Sequence, residues 1–340
     1  MTHPIGAFIS GCLGLALSPA ERALFARTNP FGLILFRRNC QTPEQLKSLT
    51  DDFRAAVGRR NAPVFVDQEG GRVQRLGPPS NAWRHYPPAR AYGEAYGRDP
   101  LSALRSARNV GRLMAEDLIA AGITANCVPV LDVPQPGAHE IIGSRAYSDS
   151  IEQIMALARA HAAGFADGGV LPVVKHIPGH GRARADSHLE LPVVDATRAE
   201  LEAVDFPPFA AMADAPMAMT AHVVFTALDK AAPATLSKKV ISTVIRKQIG
   251  FRGLLMTDDL SMKALSGSYA EKTSRALAAG CDIVLHCNGE MDQMAEVAEA
   301  AGALKGKALA RARAALKTAR KPQPFDRKLA LKDLEALLSG

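Results

Sequence analysis

The sequence predicts a single-domain (β/α)8 TIM barrel over residues 1–340, and three observations support this prediction. Eight short apolar runs recur along the chain, amphipathic stretches lie between them, and no Pro/Ser-rich linker divides the sequence. Continuous apolar runs of this length suit strands that are buried on both faces, as in a parallel sheet. Strands that alternate with helices over about 300 residues favour a barrel. A doubly wound open sheet is the alternative, but no G-x-G-x-x-G pattern follows the first run.

The predicted strands are the eight apolar runs themselves. In chain order they are AFISGC, GLILFRRN, PVFVDQEG, ANCVPVLD, LPVVKHIPG, PMAMTAHVVF, GLLMTDDL and CDIVLHCN.

The predicted helices lie between these runs, where apolar residues recur at helical spacing. Thr42 is a predicted cap for the helix that follows it, and Gly122 is a predicted C-terminal stop. Residues 77–98, with the only Trp and three of the five Tyr, predict an irregular insertion. A long loop of this kind is usually functional or covers the barrel mouth. The predicted helices span residues 43–58, 101–122, 151–169, 236–250 and 291–304, and one or two more are expected from about residue 305.

Composition and charge exclude several classes of function. The net charge of +7 is scattered, and no basic run carries interleaved aromatic residues, so nucleic-acid binding is not expected. An anionic small substrate would suit the basic surface. The five cysteines are odd in number and match no zinc or disulfide spacing, which predicts reduced core residues in a reducing compartment.

The N-terminal stretch AFISGCLGLAL is apolar enough to imitate a signal peptide. It lacks a basic lead-in, and Gly11 and Gly14 interrupt it, so a buried strand followed by a turn is the better interpretation. No run reaches the roughly 18 apolar residues that a membrane helix needs. The sequence therefore predicts a cytoplasmic protein without a membrane partner, and a monomer is expected.

Polar residues end several of the predicted strands. Because active sites of such barrels form at the carboxyl ends of the strands, these side chains are expected to converge on one pocket. An aspartate at a strand end can instead cap the next helix, which is an equal alternative for Asp132 and Asp259. For His222, a hydrogen bond within the barrel rim is the simpler interpretation. The polar residues at strand ends are Asp67, Gln68, Glu69, Asp132, Lys175, His176, His222, Thr257, Asp258 and Asp259.

The stretch KHIPGHGRARADSHLELP, residues 175–192, is too polar and too broken for a core element. A metal site would use His176, His180 and His188, with Asp258 as a further ligand, but the prolines and glycines here predict a loop rather than a ligand-bearing helix. A phosphate site would use the backbone amides of GHG, but no G-K-[ST] follows.

Proton transfer is the third and favoured interpretation of this loop. It uses Asp186 and His188, because a carboxylate two residues from a histidine can bond one ring nitrogen, fix the tautomer and stabilise the imidazolium. The residues alone leave the metal site open as the second interpretation.

Five motifs in this order give the sequence a family resemblance. They are VDQEGGRVQRL (66–76), IGSRAYSD (142–149), KHIPGHGRARADSH (175–188), MTAHVVF (219–225) and GLLMTDDLSM (253–262). Together they resemble family 3 of the glycoside hydrolases, and within it the single-domain NagZ-type β-N-acetylhexosaminidases of Gram-negative bacteria. The resemblance covers about residues 5–330 and implies the same barrel fold.

The resemblance also implies the roles of individual residues. Asp258 matches the nucleophile of a retaining glycosidase, His188 matches the acid/base, and Asp186 matches its partner. No metal and no other cofactor is implied. The residues that match those binding the N-acetylglucosamine unit are Asp67, Arg75, Arg145, Lys175 and His176.

The implied substrate is a small-molecule peptidoglycan fragment, N-acetylglucosamine β-1,4-linked to anhydro-N-acetylmuramic acid with or without peptide, in cell-wall recycling. Gly179 and Gly181 suggest that residues 179–190 swing to bring His188 over the sugar. Three alternatives remain: an N-acetylglucosaminide phosphorylase of the same family, a metal-dependent barrel hydrolase, and a sugar-binding protein on a decayed scaffold. The last would lack one of Asp258, His188 or Asp186, and all are present.

Overall fold

Eight parallel strands form a closed barrel in the computed structural model, which describes residues 4–77, 82–187 and 190–339. The first strand pairs with the last, with Phe8 opposite Val284, and this pairing closes the sheet. All eight predicted strands are confirmed, and so is the (β/α)8 barrel. The strands are β1 (Gly6–Ser10), β2 (Pro30–Leu35), β3 (Val64–Val66), β4 (Ala125–Asn126), β5 (Leu171–Ile177), β6 (Met217–Thr220), β7 (Leu254–Asp259) and β8 (Ile283–His286).

The barrel strands are apolar because helices cover their outer faces while side chains fill the interior. Every residue of β2 and of β5 is buried. Strand β4 is the shortest, and the chain beyond it returns to the sheet through a bridge between Val130 and Lys175. One buried apolar core extends along the chain from Ala7 to Leu337, and we infer that the described residues form one domain.

Helices surround the barrel, and local signals fix several of their ends. Thr42 caps the second helix as predicted, because its hydroxyl accepts a hydrogen bond from the Gln45 backbone N–H at 3.2 Å. No described helix is long and apolar enough to cross a membrane. The helices are α1 (Pro19–Thr28), α2 (Pro43–Ala56), α3 (Ala89–Arg98), α4 (Pro100–Ala120), α5 (Ile151–Asp167), α6 (Arg198–Glu200), α7 (Phe206–Ala211), α8 (Tyr269–Ala279), α9 (Met291–Ala301), α10 (Gly306–Lys317) and α11 (Arg327–Ser339).

Two helical segments differ from the sequence prediction. The segment predicted as a helix over residues 236–250 is π-helical over Val240–Gln248. A second π-helical segment, Leu201–Asp205, connects α6 to α7 in a region for which no helix is predicted. The insertion at 77–98 is not wholly irregular, because its second half is α3; residues 78–81 lie outside the described residues.

Helix α3 was missed because two glycines interrupt its pattern. The structure explains Gly93, since a Cβ at this position would lie 1.8 Å from the Tyr147 carbonyl oxygen. The neighbouring Tyr92 is buried against Tyr147, with ring centroids 6.1 Å apart. Tertiary packing therefore stabilises a helix that the local sequence disfavours.

Two short strand pairs lie at the carboxyl end of the barrel, outside its eight strands. After β3, Gln68–Gly70 and Val73–Gln74 form an antiparallel pair. Farther along, Val193–Val194 pairs in parallel with Val224–Phe225. The first pair places its side chains next to the ends of the barrel strands, where the predicted site residues also lie.

Candidate active site

A cavity of about 330 Å³ opens at the carboxyl end of the barrel. This volume falls near the lower end of the range for small-molecule sites, roughly 300–1,000 Å³, and suits one sugar unit better than a long chain. The expected convergence of strand-end residues on one pocket holds only in part, because Gln68, Asp132, His222 and Thr257 do not line the cavity. The other six strand-end residues line it together with the predicted sugar-binding residues Arg75 and Arg145; the six are Asp67, Glu69, Lys175, His176, Asp258 and Asp259.

Two carboxylates and three cationic side chains form a continuous network on one side of the cavity. The Lys175 ammonium lies 2.7 Å from Asp67 Oδ1 and 2.6 Å from Glu69 Oε1. Arg145 donates two hydrogen bonds to Glu69, at 2.8 and 2.9 Å, in a bidentate arrangement. Arg75 approaches Asp67 Oδ2 at 3.3 Å. Each carboxylate therefore holds two cationic groups in place.

The network keeps its members charged although they are buried. Burial raises the pKa of Asp67, but the charges of Lys175 and Arg75 outweigh it and hold this pKa well below its usual range. The pKa of Glu69 falls to about 2, because Arg145 and Lys175 outweigh its burial in the same way. Burial lowers the pKa of Lys175, but the two carboxylates more than compensate and raise it. On this side of the cavity, Asp67, Glu69 and Lys175 are therefore charged at neutral pH.

Glu69 is a member of the site that the sequence reasoning did not assign to a role. It was noted as a polar residue at a strand end, but of the two carboxylates in the network only Asp67 was predicted to bind the sugar. The sequence feature that indicates a role for Glu69 is its position two residues after Asp67. Side chains at i and i+2 of an extended segment point to the same face. Glu69 lies within a short strand, lines the cavity with Asp67, and is only 5% exposed.

Asp258 is the penultimate residue of β7 and lines the cavity. Its Oδ1 accepts a hydrogen bond from the Asp259 backbone N–H at 2.8 Å. Burial raises the pKa of Asp258, but His176, His222 and this backbone N–H together hold it below its ordinary value. The carboxylate form is thus the stable one at neutral pH, which is the form that a nucleophile or an electrostatic stabiliser needs.

Asp259, which also lines the cavity, is held by hydrogen bonds to neighbouring segments and to His222. Asp259 Oδ1 accepts hydrogen bonds from the backbone N–H groups of Ser261 at 3.0 Å and Cys287 at 3.1 Å, so it joins two loops rather than capping a long helix. His222 bonds Thr235 Oγ1 at 2.7 Å through Nδ1 and the Asp259 carbonyl at 3.0 Å through Nε2. The interpretation of His222 as a hydrogen-bonded rim residue therefore agrees with the geometry.

Asp132 is buried and organises the start of the loop 175–192 instead of capping a helix. One carboxylate oxygen lies 2.7 Å from His176 Nδ1, and the other accepts the His180 backbone N–H at 2.7 Å. A carboxylate at Nδ1 places the ring proton there, so the neutral tautomer of His176 presents an unprotonated Nε2. Burial lowers the pKa of His180 to about 4, so this second histidine is neutral.

The predicted acid/base pair is described only in part. His188 lies outside the described residues, whereas Asp186 is half-buried and its carbonyl accepts the Glu190 backbone N–H at 3.0 Å. Ser187 lines the cavity; its hydroxyl lies 3.3 Å from His180 Nε2, and its carbonyl accepts the Ala264 backbone N–H at 3.3 Å. The residue that directly precedes His188 thus forms part of the cavity wall.

Comparisons with known proteins agree with this architecture. Residues 13–320 match the Glycosyl hydrolase family 3 N terminal domain. A Beta-hexosaminidase of Alkalilimnicola ehrlichii is 41% identical over 288 residues, which are 84% of this chain and 81% of that protein. The crystal structure of NagZ from Neisseria gonorrhoeae in complex with N-trifluoroacetyl-D-glucosamine has 33% identity and a TM-score of 0.87, with 98% of both chains covered. The same Neisseria protein in complex with zinc ion has 31% identity, a TM-score of 0.85 and the same coverage.

Proposed function

Because this chain belongs to family 3 of the glycosyl hydrolases and is a β-hexosaminidase, we propose that it removes terminal β-linked N-acetylglucosamine from small glycans with retention of configuration. The observation that carries the proposal is the position of Asp258. Its carboxylate lines a cavity of one-sugar size, together with the ionic network of Asp67, Glu69 and Lys175.

The proposed reaction has two steps. In the first, Asp258 attacks the anomeric carbon while His188 donates a proton to the departing glycosidic oxygen, and a covalent glycosyl-enzyme forms. In the second, His188 takes a proton from water, which attacks the same carbon and releases Asp258. Asp186 stabilises the imidazolium form of His188, which is present before the first step and again after the second. A histidine has an ordinary pKa of about 6.5, so it needs little tuning to exchange protons near neutrality.

Sugar binding is the proposed role of the cavity wall. Both oxygens of Asp67 are held by cationic groups, and they can also accept hydrogen bonds from sugar hydroxyls. The side chains that donate hydrogen bonds to sugar oxygens are Arg75, Arg145 and Lys175. His176 adds the Nε2 acceptor described above. The N-acylated glucosamine bound by the Neisseria protein supports N-acetylglucosamine as the sugar in this cavity.

The proposed physiological substrate is a peptidoglycan fragment. N-acetylglucosamine β-1,4-linked to anhydro-N-acetylmuramic acid, with or without peptide, would place one sugar in the cavity and the remainder outside it. The cell-wall recycling role, the cytoplasmic location and the monomeric state are proposed together with this substrate.

We expect the protein to release nitrophenol from 4-nitrophenyl N-acetyl-β-glucosaminide in the presence of EDTA. Asp258→Ala should reduce kcat/KM by roughly 10⁴-fold or more, because removal of a nucleophile leaves only binding and electrostatic effects. Activity that appears only with added zinc would instead favour the metal-dependent alternative, with His176, His180 and His188 as ligands. Sugar phosphate formed in phosphate buffer would identify the phosphorylase alternative, and ¹H NMR of the first-formed sugar would test retention.

A further inference from the structure

The loop that follows β5 begins with residues 178–183, which form its base. The backbone of the base is bound to the segment that follows β4: the Gly181 carbonyl accepts the Gln135 N–H at 3.0 Å, and the Ala183 carbonyl accepts the His139 N–H at 2.8 Å. Gly181 lies so close to this segment that a Cβ would be 2.0 Å from the Val133 carbonyl oxygen.

The side chain of Arg182, which belongs to the base, attaches it to a second element. Its Nε lies 2.7 Å from Asp205 Oδ2, at the end of the π-helical segment between β5 and β6. The Arg182 side chain is 15% exposed and that of Asp205 is 1% exposed. Gly179 packs on the same residue, since its Cβ would lie 3.0 Å from Asp205 Cβ. The base is therefore held between two elements, and Gly179 and Gly181 lie within the held part.

Asp205 depends on Arg182 for its charge. Its second oxygen, Oδ1, is buried and has no hydrogen-bond donor within the described ranges. Burial raises the pKa of Asp205 to about 6, although the Arg182 guanidinium opposes this shift. Removing one partner of a buried ion pair leaves an uncompensated charge, which is more disruptive than removing both.

We propose that the buried Arg182–Asp205 ion pair is a positioning element that fixes the base of the loop and thereby the position of Asp186 and Ser187, which directly precede the proposed acid His188. The chain runs from Arg182 to Ser187 in five residues, and Ser187 already forms part of the cavity wall. A shift of the base would move the proposed acid relative to the glycosidic oxygen. This inference rests on the proposed function, in which His188 is that acid.

The test compares two substrates that differ in their need for an acid. Phenyl N-acetyl-β-glucosaminide needs protonation of its leaving group, whereas the 2,4-dinitrophenyl glycoside does not. Because kcat/KM reports the first irreversible step, Arg182→Ala should lower it by about 10- to 100-fold for the phenyl substrate and by less than about 3-fold for the dinitrophenyl substrate. Asp205→Asn should show the same selectivity, and Arg182→Lys, which keeps the charge, should recover part of the loss.

The matched control is Arg198→Ala, which removes an exposed ion pair with Glu202 at the start of the same helical segment. It should leave kcat/KM for both substrates unchanged. The double variant Arg182→Ala/Asp205→Asn should lose no more activity than the worse single variant, and far less than the product of both losses, because the two residues act as one unit and their joint removal leaves no unpaired charge.

Equal losses on both substrates, or no loss on either, would overturn the positioning role. The comparison with His188→Ala separates this failure from failure of the proposed function. If His188→Ala shows the selective loss and Arg182→Ala does not, only the ion-pair inference fails. If the unaltered protein hydrolyses neither substrate, the proposed function fails and the inference fails with it. Should Arg182→Ala not fold, Asp205→Asn and Arg182→Lys decide the question by the same comparison.

Discussion

The two ends of the barrel use cationic side chains in opposite ways. At the carboxyl end, Arg145 and Lys175 bind carboxylates around an open cavity. At the amino end, Arg54 donates to the backbone carbonyls of Ala62 at 3.2 Å and Gly122 at 2.7 Å, both of which lie just before barrel strands.

Arg59 extends this pattern at the amino end. Its Nε donates to Asn29 Oδ1 at 2.7 Å, and its second nitrogen donates to the Phe31 carbonyl at 3.2 Å. Burial lowers the pKa of Arg59 to about 10. The guanidinium is used here to donate hydrogen bonds to oxygens at the start of β2. In these examples the partners differ, because carboxylates bind the cations beside the cavity and oxygens at the start of strands bind them at the other end. The separation is not complete, since Arg246 binds the Asp282 carboxylate at 2.7 Å just before β8.

The largest effect is expected at the carboxyl end. Glu69→Gln should lower kcat/KM by roughly 10²- to 10³-fold, because Arg145 loses a bidentate partner and Lys175 loses one of its two carboxylates. The measurement is nitrophenol release at a temperature where circular dichroism shows that the variant is folded.

A matched control at the same end is Glu140→Gln, whose carboxylate does not line the cavity. It should retain the activity of the unaltered protein. Full activity of Glu69→Gln would show that Glu69 is as purely structural as the arginines at the other end, and the contrast between the ends would disappear.

The amino end should respond in stability and not in catalysis. Arg59→Met should lower the free energy of unfolding by about 2–4 kcal/mol, because the buried acceptors that it serves lose their donor. The values of kcat and KM at 25 °C should stay unchanged. Urea unfolding and steady-state kinetics on the same preparation check both statements.

The exposed neighbour Arg60 provides the control, and Arg60→Met should change neither quantity. A loss of activity in folded Arg59→Met would mean that the amino end influences the cavity, against the separation drawn above.

The barrel could be predicted from the sequence because each strand is buried on both faces. Burial on both faces requires a continuous apolar run, which is visible in the sequence. The sequence also predicted which polar residues meet, since the carboxyl ends of parallel strands share one edge. Asp67, Lys175 and Asp258 were found in this way, although they lie far apart in the chain.

Contacts between distant segments were not predictable. Nothing near Arg182 in the sequence indicates that its partner is Asp205, twenty-three residues away. The helix that includes Gly93 forms because the glycine permits close approach to Tyr147, which is a property of the folded chain. Asp132 looked like a helix cap because its bond to His176 depends on how β4 and β5 pair.

The smallest expected effect is a difference in acid sensitivity between the two ends of the barrel. The pKa of Glu69 is about 2 in the folded protein, below the ordinary value of about 4.5, so the native state binds its proton less readily than the unfolded state does. Its ionised form therefore stabilises the fold above about pH 4.5, and this contribution is lost as the pH falls towards 2.

The difference in free energy of unfolding between the unaltered protein and Glu69→Gln should shrink by roughly 2 kcal/mol between pH 6 and pH 3. The corresponding difference for Arg59→Met should stay constant, because a guanidinium does not titrate in this range. Urea unfolding at both pH values measures the two differences side by side, and parallel behaviour of the two variants would show that the ionic network at the cavity adds no acid-sensitive stability of its own.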